Sequence, residues 1–241
     1  MQAWQHLDEA HALAQARARD ADRSEGRAVG PLHGVPVGLK DIIDTLDLPT
    51  EDGAVLHAGR MAGRDVAVVA LLRAAGAVIL GKTVTTELAT YAAGRTRNPH
   101  DPSRSSGGSS SGSSSGSAAA VADGMVPLAL GTQTNGSVIR PAAFFGVYGY
   151  KPSMSLVSRH GILKTSRTLD CVGWFARNLD DIAAVPSRPR PAYRSSSTAS
   201  TSCSSAMTPS SHRPRRAARR RWATPAIRCF ARCGRCAACP C

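Results

Sequence analysis

The chain has 241 residues, 42 % of them hydrophobic, enough for one large domain or two small ones with a real core, so wholesale disorder is excluded. The longest apolar runs, Val66 to Leu72, Ala118 to Val121 and Val126 to Leu130, fall far short of the ~20 residues a spanning helix needs. Met1 to His6 lacks the basic patch and apolar run of a secretory signal, so the cytoplasm is the expected compartment and no membrane partner is expected.

The formal net charge of +13 suggests a nucleic-acid partner until it is divided along the chain. Residues 1–185 hold 18 Lys and Arg and all 17 Asp and Glu, whereas residues 186–241 hold 12 Arg and no acid. Cysteine divides the same way, with Cys171 alone in the body and six more after residue 200. A body with one Cys is no disulfide scaffold and fits a reducing compartment.

From Pro186 onward the sequence has no Leu, Val, Asp, Glu, Asn, Gln or Lys. A segment that buries so little apolar surface does not offset its ordering entropy, so disorder is expected there. Three readings compete: a basic nucleic-acid arm at Arg213 to Trp222, a metal site at Cys229, Cys233, Cys236 and Cys239, and translation out of frame. The third is preferred, because it also accounts for the break after Asn178 to Ile182, which reads as a helix start with no continuation. The expected division is therefore 1–185 as a domain and 186–241 as a tail.

In chain order, Met1 to Asp20 has helical character, with Trp4, Leu7, Ala10, Leu13 and Ala14 on one face. Gly34 to Leu39 reads as a short buried strand that delivers Lys40 at its end. Asp65 to Ala75 reads as a helix opened by an acid and closed by Gly76, and Ala77 to Leu80 as a strand. Ser117 to Asp123 is a helix former stopped at Gly124, Val126 to Gly131 a strand, and Gly146 to Tyr150 a further candidate. Alternating strands and helices argue an α/β layered fold around a largely buried sheet.

Ser103 to Ser117 (SRSSGGSSSGSSSGS) has, by composition, the character of a flexible linker. The adjoining stretch, SAAAVADGMVPLALGTQTNGSVIRPAAFFGVYGYKPS, carries turn residues, apolar runs and a lone Arg without a break. Here the chain resembles the amidase signature family, whose core reads Gly-Gly-Ser-Ser-x-Gly-Ser, an Ala-rich helix, then Gly-Thr-x-Thr-Gly-Gly-Ser-x-x-x-Pro-Ala. Upstream, Gly30 to Thr45 (GPLHGVPVGLKDIIDT) matches the family's lysine motif and Ala77 to Ala89 the strand and loop between. The resemblance covers about Trp4 to Val185 and implies a mixed sheet flanked by helices, here incomplete, because the family's domain continues well beyond it. A half-sheet leaves an unpaired edge and an uncovered apolar face, so the polypeptide is expected to fold poorly although it carries all three catalytic positions.

The resemblance also implies a Ser, a second Ser preceded by a cis peptide bond, and a Lys. Carried over by position, Ser137 is the nucleophile, Lys40 starts the proton relay, and Ser113 bridges them. Ser109 is the alternative bridge, since Gly107 and Gly108 directly precede it and four residues look duplicated. A serine hydroxyl is a poor nucleophile at neutral pH, so a base must take its proton. Lysine serves only when neutral, which requires burial among groups such as Val35, Val37 and Leu39. Thr134, Asn135 and Gly136, leading to Ser137, form the expected oxyanion turn, with Asn135 where the family pattern has Gly.

Arg140 is either a partner of Asp170 or Asp101 or a bidentate clamp on a substrate carboxylate. His33, His57 and Cys171 are expected to be structural, and no Gly-Lys-Ser or Gly-Lys-Thr completes a phosphate loop. The expected function is hydrolysis of a carboxylic amide to acid and ammonia through an acyl-serine, with a small-molecule amide as partner. The same reading expects no metal, organic cofactor or nucleic acid, and leaves open a homodimer. A relative that makes ammonia for amidated tRNA, with partner subunits, belongs to the same family. The competing class is a non-enzymatic basic nucleic-acid- or metal-binding protein acting through the tail.

Overall fold

A computed structural model describes residues 1–90, 94–103 and 112–185. The tail with its Arg and Cys motifs, Gly107, Gly108 and the alternative bridge Ser109 lie outside the described residues. In order, the elements are β1 (Trp4–Leu7), α1 (Glu9–Ser24), β2 (Pro36–Lys40), α2 (Ala67–Ala74), β3 (Val78–Thr83), α3 (Ser115–Ala122), β4 (Leu128–Gln133), α4 (Ile139–Phe145), β5 (Tyr148–Tyr150), β6 (Cys171–Ala176) and α5 (Leu179–Ala184). No helix among the described residues is long and apolar enough to cross a membrane.

The strands form one mixed sheet in the order β1-β3-β2-β4-β6-β5. The central three, β3, β2 and β4, run parallel, while β1, β6 and β5 pair antiparallel at the flanks. Parallel strands need both faces covered, and two apolar clusters do this. One packs Val37, Leu39, Ile79, Leu128 and Leu130 of the sheet against Val68, Val69 and Leu72 of α2. The other packs Ala129 and Phe175 against Ala118 to Val121 of α3 and Phe145 of α4. Together they give the expected α/β layers around a mixed sheet.

Three local expectations change. Trp4 to Leu7 is a strand rather than the first turn of a helix, because it pairs with β3 and Asp8 then starts α1 by accepting from the His11 amide at 2.9 Å. Asp65 does not cap α2; its carboxylate accepts from Arg73 and from the Leu46 amide, both beyond its own turn. The third concerns residues 171 to 176, to which the sequence reading assigned no element beyond a structural Cys171. They form β6, buried on both faces and therefore without the alternation that marks a strand. Pro141 sits in the first turn of α4, where its missing N–H costs nothing.

α3 lies close enough on the sheet that its second residue has no room for a side chain. A Cβ at Gly116 would stand 2.5 Å from the Val84 nitrogen and 2.7 Å from the Ala3 oxygen. Gly116→Ala, which in an isolated helix would add about 1 kcal/mol of stability, is therefore expected to cost about 3 kcal/mol here. A urea midpoint that rises instead would show that α3 does not press on the backbone at Ala3 and Val84.

Candidate active site

The sequence places Lys40 at the end of β2 for a reason that strand geometry supplies. Val37 and Leu39 alternate into the apolar cluster and anchor the strand, so its last residue is delivered at the carboxyl end of the parallel strands, where ligands bind in open α/β sheets. Lys40 is fully buried. Its Nζ donates to Ser113 Oγ at 2.6 Å and to Thr132 Oγ1 at 2.9 Å. Burial without a carboxylate in contact lowers its pKa from 10.5 to about 7, and the charge of Asp170 opposes that shift only in part.

The serine-rich run holds Ser113 by stitching itself to β4. Ser114 Oγ donates to the Thr132 carbonyl at 3.0 Å and accepts from the Thr132 amide at 3.2 Å. Ser117 Oγ donates to the Leu130 carbonyl at 2.8 Å and shares a 2.6 Å bond with Thr83. Residues 112–117 are thus a bonded part of the fold, not a linker, and Ser113 immediately precedes the helix start at Ser114.

Gly112 brings the two serines together. Its φ is +83°, and a Cβ on it would stand 2.7 Å from Ser137 Cα and 3.0 Å from Pro141 Cδ. The backbone before Ser113 thus lies directly against Ser137, which is itself buried. No cis peptide bond occurs among the described residues, so the Gly112–Ser113 bond is trans where the resemblance implies cis. Gly112 itself takes the left-handed conformation there.

Ser137 follows the turn that leaves β4. Gln133 Oε1 accepts from the Val138 and Ile139 amides at 2.9 Å each, fixing the start of α4. The positive φ of the turn falls at Gly136, +129°, and not at Asn135, so Asn135 is not required to take the left-handed conformation that favours glycine. The Gly136 and Ser137 amides donate to no acceptor among the described residues.

Arg140 folds back over Gly136, where a Cβ would stand 2.5 Å from Arg140 Nε. That nitrogen is buried with no hydrogen-bond partner, and Arg140 makes no ion pair among the described residues. Its structural reading as a partner of Asp170 fails, because Asp170 accepts from Thr134 Oγ1 at 2.5 Å and from the Thr165 and Ser166 amides at 2.8 Å each. Gly112, Ser113, Thr134, Asn135, Ser137 and Arg140 line one recess of about 60 Å³, with Lys40 behind it. A larger cleft of about 470 Å³ beside Glu51, Thr86 and Arg95 has no nucleophile next to a buried base.

Of the other sequence candidates, His57 pairs with Asp52 at 2.8 Å, and Cys171 is buried beside the Lys151 amine; neither lines the recess. Sequence reasoning missed Thr132, Gln133 and the role of Asp170. Thr132 alone left a signal, as the Thr five residues before Ser137.

The sequence model of the Amidase family matches residues 1–217. The A subunit of the glutamyl-tRNA(Gln) amidotransferase of Rhodopirellula baltica is 44 % identical over 187 residues, covering 75 % of this chain and 37 % of the relative. Its counterpart in Acidothermus cellulolyticus is 46 % identical over 187 residues, with 75 % and 36 % covered. The native peptide amidase of Stenotrophomonas maltophilia superposes with a TM-score of 0.69 at 42 % identity, covering 75 % of this chain and 38 % of that one. The chain thus spans less than two fifths of the length of these relatives. A match over most of its length places this chain in the Amidase family.

Proposed function

We propose that the chain carries the reaction centre of an amidohydrolase, with Ser137 as nucleophile, Ser113 as bridge and Lys40 as base. The observation that supports it best is a fully buried lysine amine 2.6 Å from one serine whose backbone abuts a second. Neutral Lys40 takes the Ser113 proton while Ser113 takes that of Ser137, and the freed Ser137 Oγ bonds to the amide carbon. The carbonyl oxygen becomes an oxyanion, which the Gly136 and Ser137 amides are free to receive. The C–N bond then breaks as the proton passes back through Ser113 to the leaving nitrogen, giving ammonia and an acyl-Ser137. Water, deprotonated through the same relay, attacks the acyl carbon and releases the acid.

Arg140 supports a substrate that carries a carboxylate beside its amide. A guanidinium in the recess with a buried, unpartnered Nε is costly unless a ligand oxygen fills it. The amidotransferase relatives favour a second reading, in which a partner consumes the ammonia. The division into a 1–185 domain and a tail rests on the composition break, although the family match runs to residue 217.

Ser137→Ala is expected to abolish hydrolysis, and Lys40→Met to lower it by about 10²- to 10⁴-fold. Wild-type kcat/KM should rise with pH to a plateau above about 7, as Lys40 loses its proton. Hydrolysis that survives in the Lys40, Ser113 and Ser137 variants alike would overturn the assignment. Arg140→Met should raise KM about 10- to 100-fold for a carboxylated amide and leave a neutral amide unaffected. Equal effects on both would remove the clamp.

Lys40 also links stability to pH. Its folded pKa, about 7, lies below the unfolded 10.5, so between these values only the unfolded chain binds the proton, and stability rises with pH across that window. Urea midpoints of wild type and Lys40→Met, compared at about pH 7 and about pH 10, should move in favour of the wild type at the higher pH. A constant difference would mean that Lys40 is not buried neutral.

A further inference from the structure

We infer that Asp170 is a positioning residue for this centre: its carboxylate fixes the turn that carries Ser137 through Thr134, two residues along the chain from the Thr132 that holds Lys40. The inference rests on the amidase reading above. The β4–β6 pairing matches Gln133 with Cys171 and Thr132 with Val172, so continuing that register past the strand ends sets Thr134 opposite Asp170. There one carboxylate oxygen accepts from Thr134 Oγ1 at 2.5 Å, and the other from the Thr165 and Ser166 amides at 2.8 Å. Charge-assisted bonds of this kind are about twice as strong as neutral ones, and three of them converge on a residue 8 % exposed.

The turn is thereby held at both ends. Gln133 fixes the amides after Ser137, and Asp170 fixes the hydroxyl of Thr134 before it. Both Thr134 and Thr165, the two sides of the Asp170 clasp, line the recess with Ser113 and Ser137. Thr132, two residues before Thr134 and within β4, holds Lys40.

Around Lys40, Ser113 faces it from the serine-rich turn and Thr132 from β4, both uncharged, and Asp170 is the charge felt from the start of β6. Asp41, the next residue along from Lys40, interacts through its charge with Lys82. Arg159 reaches within 4.0 Å of Asp170 but donates to the Ser166 and Arg167 carbonyls. Arg140 lies across the recess. Asp170 therefore raises the proton affinity of Lys40 against its burial while setting the geometry of the nucleophile.

The test uses the full chain with Asp170→Asn, Thr134→Val and Asp170→Glu. Two quantities are read: hydrolysis of a monoamide of a short dicarboxylic acid against pH, and the titration of the Lys40 Cε resonance in lysine-labelled protein, which needs no turnover. Asp170→Asn should lower kcat/KM about 10²-fold, mainly through kcat, since misplacement by about 1 Å costs that much. It should also move the Lys40 midpoint and the acid limb of the profile to lower pH. Thr134→Val should lower kcat with the midpoint in place, and Asp170→Glu should restore the midpoint. A loss of rate in Asp170→Asn with an unmoved Lys40 midpoint overturns the inference, as does an unchanged rate. If wild type hydrolyses no amide yet the Lys40 midpoint moves in Asp170→Asn, the amidase reading falls and the hold of Asp170 on Lys40 stands.

Discussion

The structure is organised around an amine that has been taken out of water without being given a counter-ion. Lys40 is fully buried, and its two hydrogen bonds go to hydroxyl oxygens, not to a carboxylate. Removing a cation from water is costly, so the group gives up its proton, and the result is a base poised near neutrality. Every element nearby serves that condition. β2 is driven into the sheet by Val37 and Leu39, β4 supplies Thr132, and the turn at Gly112 supplies Ser113.

A second buried lysine shows what a structural role looks like in the same sheet. Lys82, paired with Leu39 across the β2–β3 ladder, donates at 2.6 Å to the Ile43 carbonyl and to Thr50. Burial lowers its pKa to about 8, with Asp41 opposing the shift, while burial raises Asp41 to about 6. Lys82 therefore ties together the loop after β2, which carries Asp41, Ile43 and Thr50. Lys40 instead bonds to Ser113, which lines the recess together with Ser137 and Arg140. The contrast lies in what each amine can reach, not in how deeply it is buried.

The site residues with special local chemistry were legible in the sequence. Lys40 closed an apolar strand and Arg140 was a lone charge, while Ser137 and Ser113 came from the register of the family resemblance. What strand register alone creates was not legible. Asp170 meets Thr134 across 36 residues only because β4 and β6 run antiparallel with a defined pairing, and β6 itself, buried on both faces, left no alternating pattern. Trp4 and Leu7 had helical spacing over a stretch too short to distinguish four strand residues from one turn. The left-handed conformation of Gly112 was equally hidden.

The central claim is that Ser137 becomes acylated by a relay ending at neutral Lys40. The most direct measurement is intact-protein and peptide mass spectrometry after reaction with a fluorophosphonate, which captures activated serines covalently, followed across pH. The account predicts one adduct, on Ser137, forming at a rate that rises to a plateau above about pH 7 and falls sharply in Lys40→Met and Ser113→Ala. An adduct on another residue, or labelling of Ser137 that is indifferent to both variants, would contradict it.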